Sequence, residues 1–277
     1  VPIRRIYLPQ KTKSPFRYPG GKSRVRDRIL ALMPRDTLEY REPFVGGGSV
    51  FFGLQKPCKA WLNDVNSPLM AVYLALRARP EQFIASCRNL VCSVDTFNRL
   101  ARDVKGDQAL RYYFINRTIW GGRVVLSKEM ATRIRPTCYT WPEGWKVVHK
   151  NVLERASYKL QGVTLTIGDF VRLFESPGAN VWIYADPPYF RNDSLSKLDR
   201  QYEKLFLRKD HKRFQRAVEE TEHRVCVSYD DVDVVRDWAA KAGLFLIEES
   251  WTYSGNNRRK KQKGKELLLT NYDPQSL

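Results

Sequence analysis

Asp186, Pro187, Pro188 and Tyr189 stand in one unbroken run, directly after the strand formers Asn180-Val181-Trp182-Ile183-Tyr184 and Ala185. The two prolines restrict φ and supply no backbone N–H, so the turn that follows the strand is stiff. It presents a carboxylate, the carbonyl of Pro187 and the face of a phenol ring to one small space. Two acceptors and a π-face suit a planar heterocycle that carries an exocyclic NH2 group. The acceptors hold the amine and the phenol stacks on the ring. The bland alternative is an Asp-Pro turn beside a core tyrosine, so the weight of the motif depends on its company.

Four other segments carry ligand-binding chemistry. In Phe16-Arg17-Tyr18-Pro19-Gly20-Gly21-Lys22 the two glycines let the backbone approach a ligand closely. Lys22 sits where a helix begins, with Val25, Ile29, Leu32 and Met33 on one face. Between Glu39 and Phe52 a short strand runs into Gly46-Gly47-Gly48 and an apolar helix leaves, an arrangement on which a nucleotide-like ligand can lie. The spacing is not GxGxxG and no Lys-Ser/Thr follows, so neither a dinucleotide fingerprint nor a P-loop is supported. Asp64 closes the next strand, Ala60 to Asp64, at the place where an acidic residue takes the two hydroxyls of a ribose. Asp169, followed by Phe170, stands in the same way after the strand Val163 to Ile167.

The elements that must position these groups alternate strand and helix, so the spacing predicts an α/β fold with a mostly parallel sheet. Its carboxyl edge gathers Asp64, Asp169, Asp186 and the glycine loop, and that edge is where open α/β sheets bind ligands. Between 80 and 160 the pattern turns helical (Phe83/Cys87, Phe97/Leu100/Ala101/Val104, Leu110/Phe114) and then, from Arg117 to Trp145, loop-rich, basic and aromatic. We therefore expect one catalytic domain made of residues 14–78 and 160–277, interrupted by an insertion at 79–159. The chain closes on two strands, Leu244–Ile247 and Glu266–Thr270, separated by a run that contains Arg258, Arg259, Lys260 and Lys261.

Composition narrows the partner. Lys and Arg number 48 against 30 Asp and Glu among 277 residues, a formal charge of +18. Such an excess favours a polyanion, nucleic acid before membrane. No apolar run is long enough to span a bilayer and no signal-peptide pattern is visible, so the chain reads as soluble and cytoplasmic. The five cysteines are scattered and only three histidines accompany them; they read as free thiols rather than metal ligands.

Five segments in this order, Tyr18-Pro-Gly-Gly-Lys22, Glu42-Pro-Phe-Val-Gly-Gly-Gly48, Asn63-Asp64-Val65-Asn66, Asp186-Pro-Pro-Tyr189 and Lys265-Glu266-Leu267-Leu268, make the chain similar to the Dam-type DNA adenine-N6 methyltransferases. The resemblance implies a Rossmann-like fold with a mostly parallel seven-stranded sheet and a helical, loop-rich target-recognition insertion. It implies transfer of a methyl group from S-adenosylmethionine to N6 of a flipped adenine in double-stranded DNA, leaving S-adenosylhomocysteine, with no metal. By position, Tyr18 and Lys22 would flank the methionine end of the cofactor, Phe44, Gly46 and Gly48 would wrap it, and Asp64 would hold the ribose. Asp169 and Phe170 would address its adenine, and Asp186 stands at the meeting of cofactor and target.

On the DNA side, Arg17, Asn116, Arg117, Trp120, Arg123, Arg133 and Arg135 are the expected contacts, with arginines able to grip guanine edges. Arg258, Arg259, Lys260 and Lys261 are expected on phosphates. Where many Dam-type chains carry Tyr-Asn-Gly this one has Trp120-Gly121-Gly122, so a GATC target does not follow. N4-cytosine methylation is the neighbouring alternative, although that chemistry more often carries Ser before the two prolines. An inactive DNA-binding relative is the other. A monomer or weak dimer is expected.

Overall fold

The computed structural model describes residues 11–55, 58–122, 124, 142–189, 206–252 and 263–276. At its centre the strand Val181–Ala185 is buried at every position. The period of two sorts its side chains between two cores: Val181, Ile183 and Ala185 enter one, Trp182 and Tyr184 the other. A strand covered on both faces belongs to the middle of a three-layer sheet, as its apolar run requires.

In chain order the strands are β1 (Glu39–Glu42), β2 (Lys59–Asp64), β3 (Thr164–Ile167), β4 (Val181–Ala185), β5 (Arg224–Asp230), β6 (Phe245–Thr252) and β7 (Lys263–Thr270). They form a seven-stranded sheet in the order β3-β2-β1-β4-β5-β7-β6. The pairs from β3 across to β5 are parallel. Only β7 runs against its neighbours β5 and β6. The chain builds outward from β1 through β2 to β3, then returns to lay β4 on the other side of β1. That reversal opens a crevice at the carboxyl ends of β1 and β4.

Helices cover both faces. One side carries α1 (Arg26–Ala31), α2 (Ser49–Gly53) and α3 (Ser67–Ala78). Against α3 pack three helices of the insertion, α4 (Pro80–Asn89), α6 (Gln108–Thr118) and α7 (Val152–Leu160), and α5 (Val94–Arg102) packs on α6. Side-chain caps start three of these helices: Asn66 accepts from the Leu69 N–H, Ser93 from Thr96, and Asp107 from Ala109 and Leu110. One buried cluster runs from Tyr40 and Leu62 in the sheet to Phe97 and Phe114 in the insertion. The other side carries α8 (Val171–Glu175), α9 (Arg208–Glu220) and α10 (Asp233–Lys241) over a second cluster.

The central strand β1 is polar. Arg41 is buried, and its guanidinium donates to the carbonyls of Leu173, Ser176 and Pro177 and to Glu39. A buried cation is tolerable when its donors are used in this way, and here they pin the loop that leads into β4.

Candidate active site

Asp186 follows the last residue of β4 and faces into the crevice. Lys22 reaches it from the turn before α1: the ammonium lies 2.8 Å from each carboxylate oxygen. The Lys22 side chain is only 4% exposed, so this pair is shielded from solvent far more than a surface ion pair. Glu266 of β7 lies 3.7 Å from the same ammonium and is itself buried. Burial pushes the Asp186 carboxyl above the ordinary aspartate range, and the charge of Lys22 is the main influence pulling it back. Lys22 is thereby joined to Asp186, the residue expected where cofactor and target meet.

Tyr189 closes the opposite side. Its ring centroid lies 5.1 Å from the Lys22 ammonium and its plane stacks on Tyr229 of β5, with centroids 6.1 Å apart and 25° between planes. The Tyr229 hydroxyl pairs with the His211 ring at the start of α9. Burial holds His211 neutral, with its pKa pulled down to about 4. The phenol face is thus backed by a second phenol. Beneath Asp186, Tyr184 and Ser228 share a hydrogen bond of 2.8 Å. Glu42 ends β1 with its carboxylate accepting from the Tyr40 hydroxyl at 2.7 Å. Burial, and then the nearby Asp186 and Asp64 charges, raise the Glu42 carboxyl well above its usual range despite that hydrogen bond.

The glycine loop forms the neighbouring wall. Gly46 and Gly48 both adopt left-handed backbone, φ +45° and +63°. The space that their missing side chains leave is taken by the protein itself. A Cβ at Gly46 would meet the Tyr18 ring at 2.7 Å, and one at Gly48 would meet the Tyr73 hydroxyl at 2.6 Å. Tyr73 donates to the Gly46 carbonyl at 2.9 Å. Asp64 supports the loop from β2: one oxygen accepts from the Gly46 N–H and the other from the Asn66 N–H, each at 2.9 Å. Phe44 stacks obliquely on Phe170, centroids 5.1 Å apart, and meets Phe206 and Phe214 edge-on. Asp169 stands outside this bed: its side chain is 52% exposed, paired with Arg213 at 2.7 Å, and it accepts from the Val171 N–H.

The family model for the D12 class of N6 adenine-specific DNA methyltransferases matches residues 18–254, which include every segment just described except Glu266. The chain belongs to that family. Among its relatives, the Type II methyltransferase M1.LlaDCHI of Lactococcus lactis subsp. cremoris is 26% identical over 96% of this chain and 99% of its own. The DNA adenine methylase of Serratia marcescens is 24% identical over 89% and 94%. That of Escherichia coli K12 is 21% identical over 94% and 96%. The D12 methyltransferase described here is accordingly an enzyme that methylates adenine N6 in DNA, and methyltransferase membership implies use of S-adenosylmethionine.

The insertion of this methyltransferase distributes the expected DNA contacts unevenly. Asn116 is fully buried, and its amide is consumed by the main chain of Arg17 and Gly122. Arg117 is half-buried and donates to the Gly144 and Pro15 carbonyls. Both residues, expected at DNA, are thus internal fasteners. The reason is that α6 is buried on nearly all sides, so a polar residue within it must find its partner inside the protein. The uninterrupted Tyr112-Tyr113-Phe114-Ile115 was the available signal, because a helix apolar all round is a buried one. Arg17 is half-buried beside that fastener, and burial lowers its pKa. Trp120 begins the short 3-10 turn Trp120–Gly122; its side chain lies outside what is described. Arg123, Arg133, Arg135, Arg258, Arg259, Lys260 and Lys261 also lie outside the described residues. Glu42, the first residue of the Glu42–Gly48 segment, and Tyr229 and His211, which lie outside any of the five segments, back the crevice.

Proposed function

We propose that this methyltransferase acts on an adenine turned out of duplex DNA, with the target amine held by Asp186 and the carbonyl of Pro187 and the base stacked on Tyr189. The observation that carries the reading is the buried Asp186–Lys22 pair at the carboxyl end of β4, beside a phenol that Tyr229 holds from behind. An exocyclic amine inside a duplex cannot reach a carboxylate at the bottom of such a crevice, so the base must leave the stack.

The residues fit S-adenosylmethionine. The Asp64 carboxylate ends β2 beside the glycine loop, where an acidic acceptor can take ribose hydroxyls. Phe44 and Phe170 supply an apolar bed for an adenine, and Tyr18 and the left-handed glycines form the wall between. Asp169, tied to Arg213, would meet the adenine only from the rim. When bound, the cofactor supplies a sulfonium methyl group already activated toward a nucleophilic nitrogen.

The chain's own residues do the positioning. Two acceptors on the amine hydrogens leave the nitrogen lone pair facing one way and raise its electron density; stacking on Tyr189 fixes the ring plane. Lys22 keeps Asp186 ionised against its burial, so that it accepts rather than donates. Orientation and preorganised charge of this kind supply most of the rate in such transfers. Arg17, the insertion arginines and the basic run at 258–261 are proposed to hold and read the duplex, in a cytoplasmic protein acting as a monomer or weak dimer without a metal. Incubation of DNA with the chain and S-adenosylmethionine, followed by sequencing of modified bases, should show N6-methyladenine within one short sequence. N4-methylcytosine instead would overturn the assignment of Asp186.

A further inference from the structure

Asn116 occupies the middle of α6 with no exposed surface. Its Oδ1 accepts from the Arg17 N–H at 3.0 Å, and its Nδ2 donates to the Arg17 carbonyl at 2.7 Å and to the Gly122 carbonyl at 3.1 Å. One side chain therefore pairs both main-chain groups of Arg17, as a neighbouring strand would. It needs one acceptor and two donors at once, which among side chains of this length only asparagine has. The third bond brings Gly122 so close that a Cβ there would lie 2.2 Å from the Arg17 carbonyl oxygen, at φ +69°.

The other flank of the same segment rests on the glycine loop. The Thr12 N–H donates to the Phe52 carbonyl at 3.0 Å and the Ser14 hydroxyl donates to the Gly47 carbonyl. The Tyr18 ring lies over Gly46. The Tyr113 hydroxyl and Arg117 guanidinium donate from α6 to the Pro15 carbonyl between them. Residues 12–18 are thus a strap held between the recognition insertion and the loop, and the strap continues to Lys22 on Asp186.

We infer that Asn116 is a positioning residue: it fastens the insertion to the glycine loop through Arg17 and Tyr18, and cofactor binding and methyl transfer depend on its amide although it touches neither cofactor nor base. The inference rests on the glycine loop being the S-adenosylmethionine wall. Asn116→Asp preserves shape but removes both donors and sets a carboxylate against two carbonyls. Its carboxyl must then titrate high, and once protonated it regains an acceptor and one donor.

The test is calorimetric cofactor affinity without DNA, single-turnover methyl transfer, site preference and thermal midpoint, each at pH 8 and pH 6. For Asn116→Asp we expect cofactor affinity and kcat reduced about tenfold at pH 8 and largely recovered at pH 6, the scale of one or two lost hydrogen bonds. The unsubstituted enzyme should show no such recovery. Gly122→Ala, which crowds the Arg17 carbonyl with Asn116 in place, should lower cofactor affinity at both pH values alike, and it decides the question should the first variant not fold. Reduced thermal midpoint with cofactor affinity and kcat unchanged would make Asn116 a local stabiliser and overturn the inference. Altered site preference with cofactor affinity intact would make it a base reader and do the same. An unsubstituted chain that binds no S-adenosylmethionine would remove the reading of the loop, and this inference with it.

Discussion

The carboxyl edge of the sheet and the helical insertion use polar residues in opposite ways. At the edge, Asp64, Asp186, Glu42 and Glu266 arrive from four different strands and converge on one crevice, where Lys22 bridges two of them. In the insertion, Asn116, Arg117 and Arg111 turn inward and tie the protein to itself; Arg111 closes α5 by donating to the Leu100 and Ala101 carbonyls. Strand ends leave their side chains at a rim where a ligand can meet them, while a helix buried all round leaves its polar groups no partner but other protein. A polar residue is thus informative about function at the first kind of position and about internal fastening at the second.

That contrast predicts large catalytic losses at the edge and losses of stability in the insertion. The largest effect is expected for Asp186→Asn, which keeps the shape but replaces an acceptor by a donor facing Lys22 and the target amine. Methyl transfer should fall by about 10²–10³-fold or more, the scale seen when one preorganised electrostatic group is removed. Cofactor affinity, measured by calorimetry on the same preparation, should change little, and near-normal turnover would break the assignment.

Asp64→Asn should come next. It forfeits two charge-assisted contacts to a ribose, about 1.5–3 kcal/mol each, and sets an NH2 group toward a backbone N–H of Gly46 or Asn66. Cofactor affinity should drop by at least about tenfold by the same arithmetic, while binding of DNA alone persists. Unchanged calorimetric affinity would leave Asp64 a loop support and nothing more.

On the insertion side, Arg117→Met should reduce stability by about 1–3 kcal/mol, since the Gly144 and Pro15 carbonyls lose a charged donor. Denaturant unfolding would read that loss, and sequence preference in the folded fraction should stay as it was. A changed preference would mean that Arg117 reaches a base after all, and would blur the comparison between the two regions.

The smallest effect is one of pH. Asp186 must be ionised to accept from the amine, and burial raises its pKa. The acid limb of kcat should therefore fall at a higher pH than the ordinary aspartate value of about 3.9. Lys22→Gln removes the charge that opposes burial and should move that limb up further. An acid limb that stays put would separate Lys22 from the ionisation of Asp186.

By itself, the sequence determined the strand-and-helix alternation, the acidic strand ends and the stiff Asp186-Pro-Pro-Tyr189 turn. Those features are local: the unbroken run of strand formers in β4, fixed φ at the prolines and an acidic residue closing β2 can all be read within a few neighbouring residues. Even the polar β1 was visible as a short strand leading into a glycine loop. Tertiary structure alone decided whom the polar groups serve. Lys22 and Asp186 stand 164 positions apart in sequence, and nothing near Lys22 says that its ammonium lies on both oxygens of that carboxylate. The glycines at 46 and 48 read as a loop on which a ligand can lie, and only the folded chain shows that their missing Cβ atoms also make room for Tyr18 and Tyr73. Asn116 read as a DNA contact for its place in a basic, aromatic stretch, and packing of α6 turned it into the fastener of Arg17. Hydrogen bonds between distant segments are chosen by which groups burial leaves without water, and burial is a property of the assembled layers rather than of any stretch of chain.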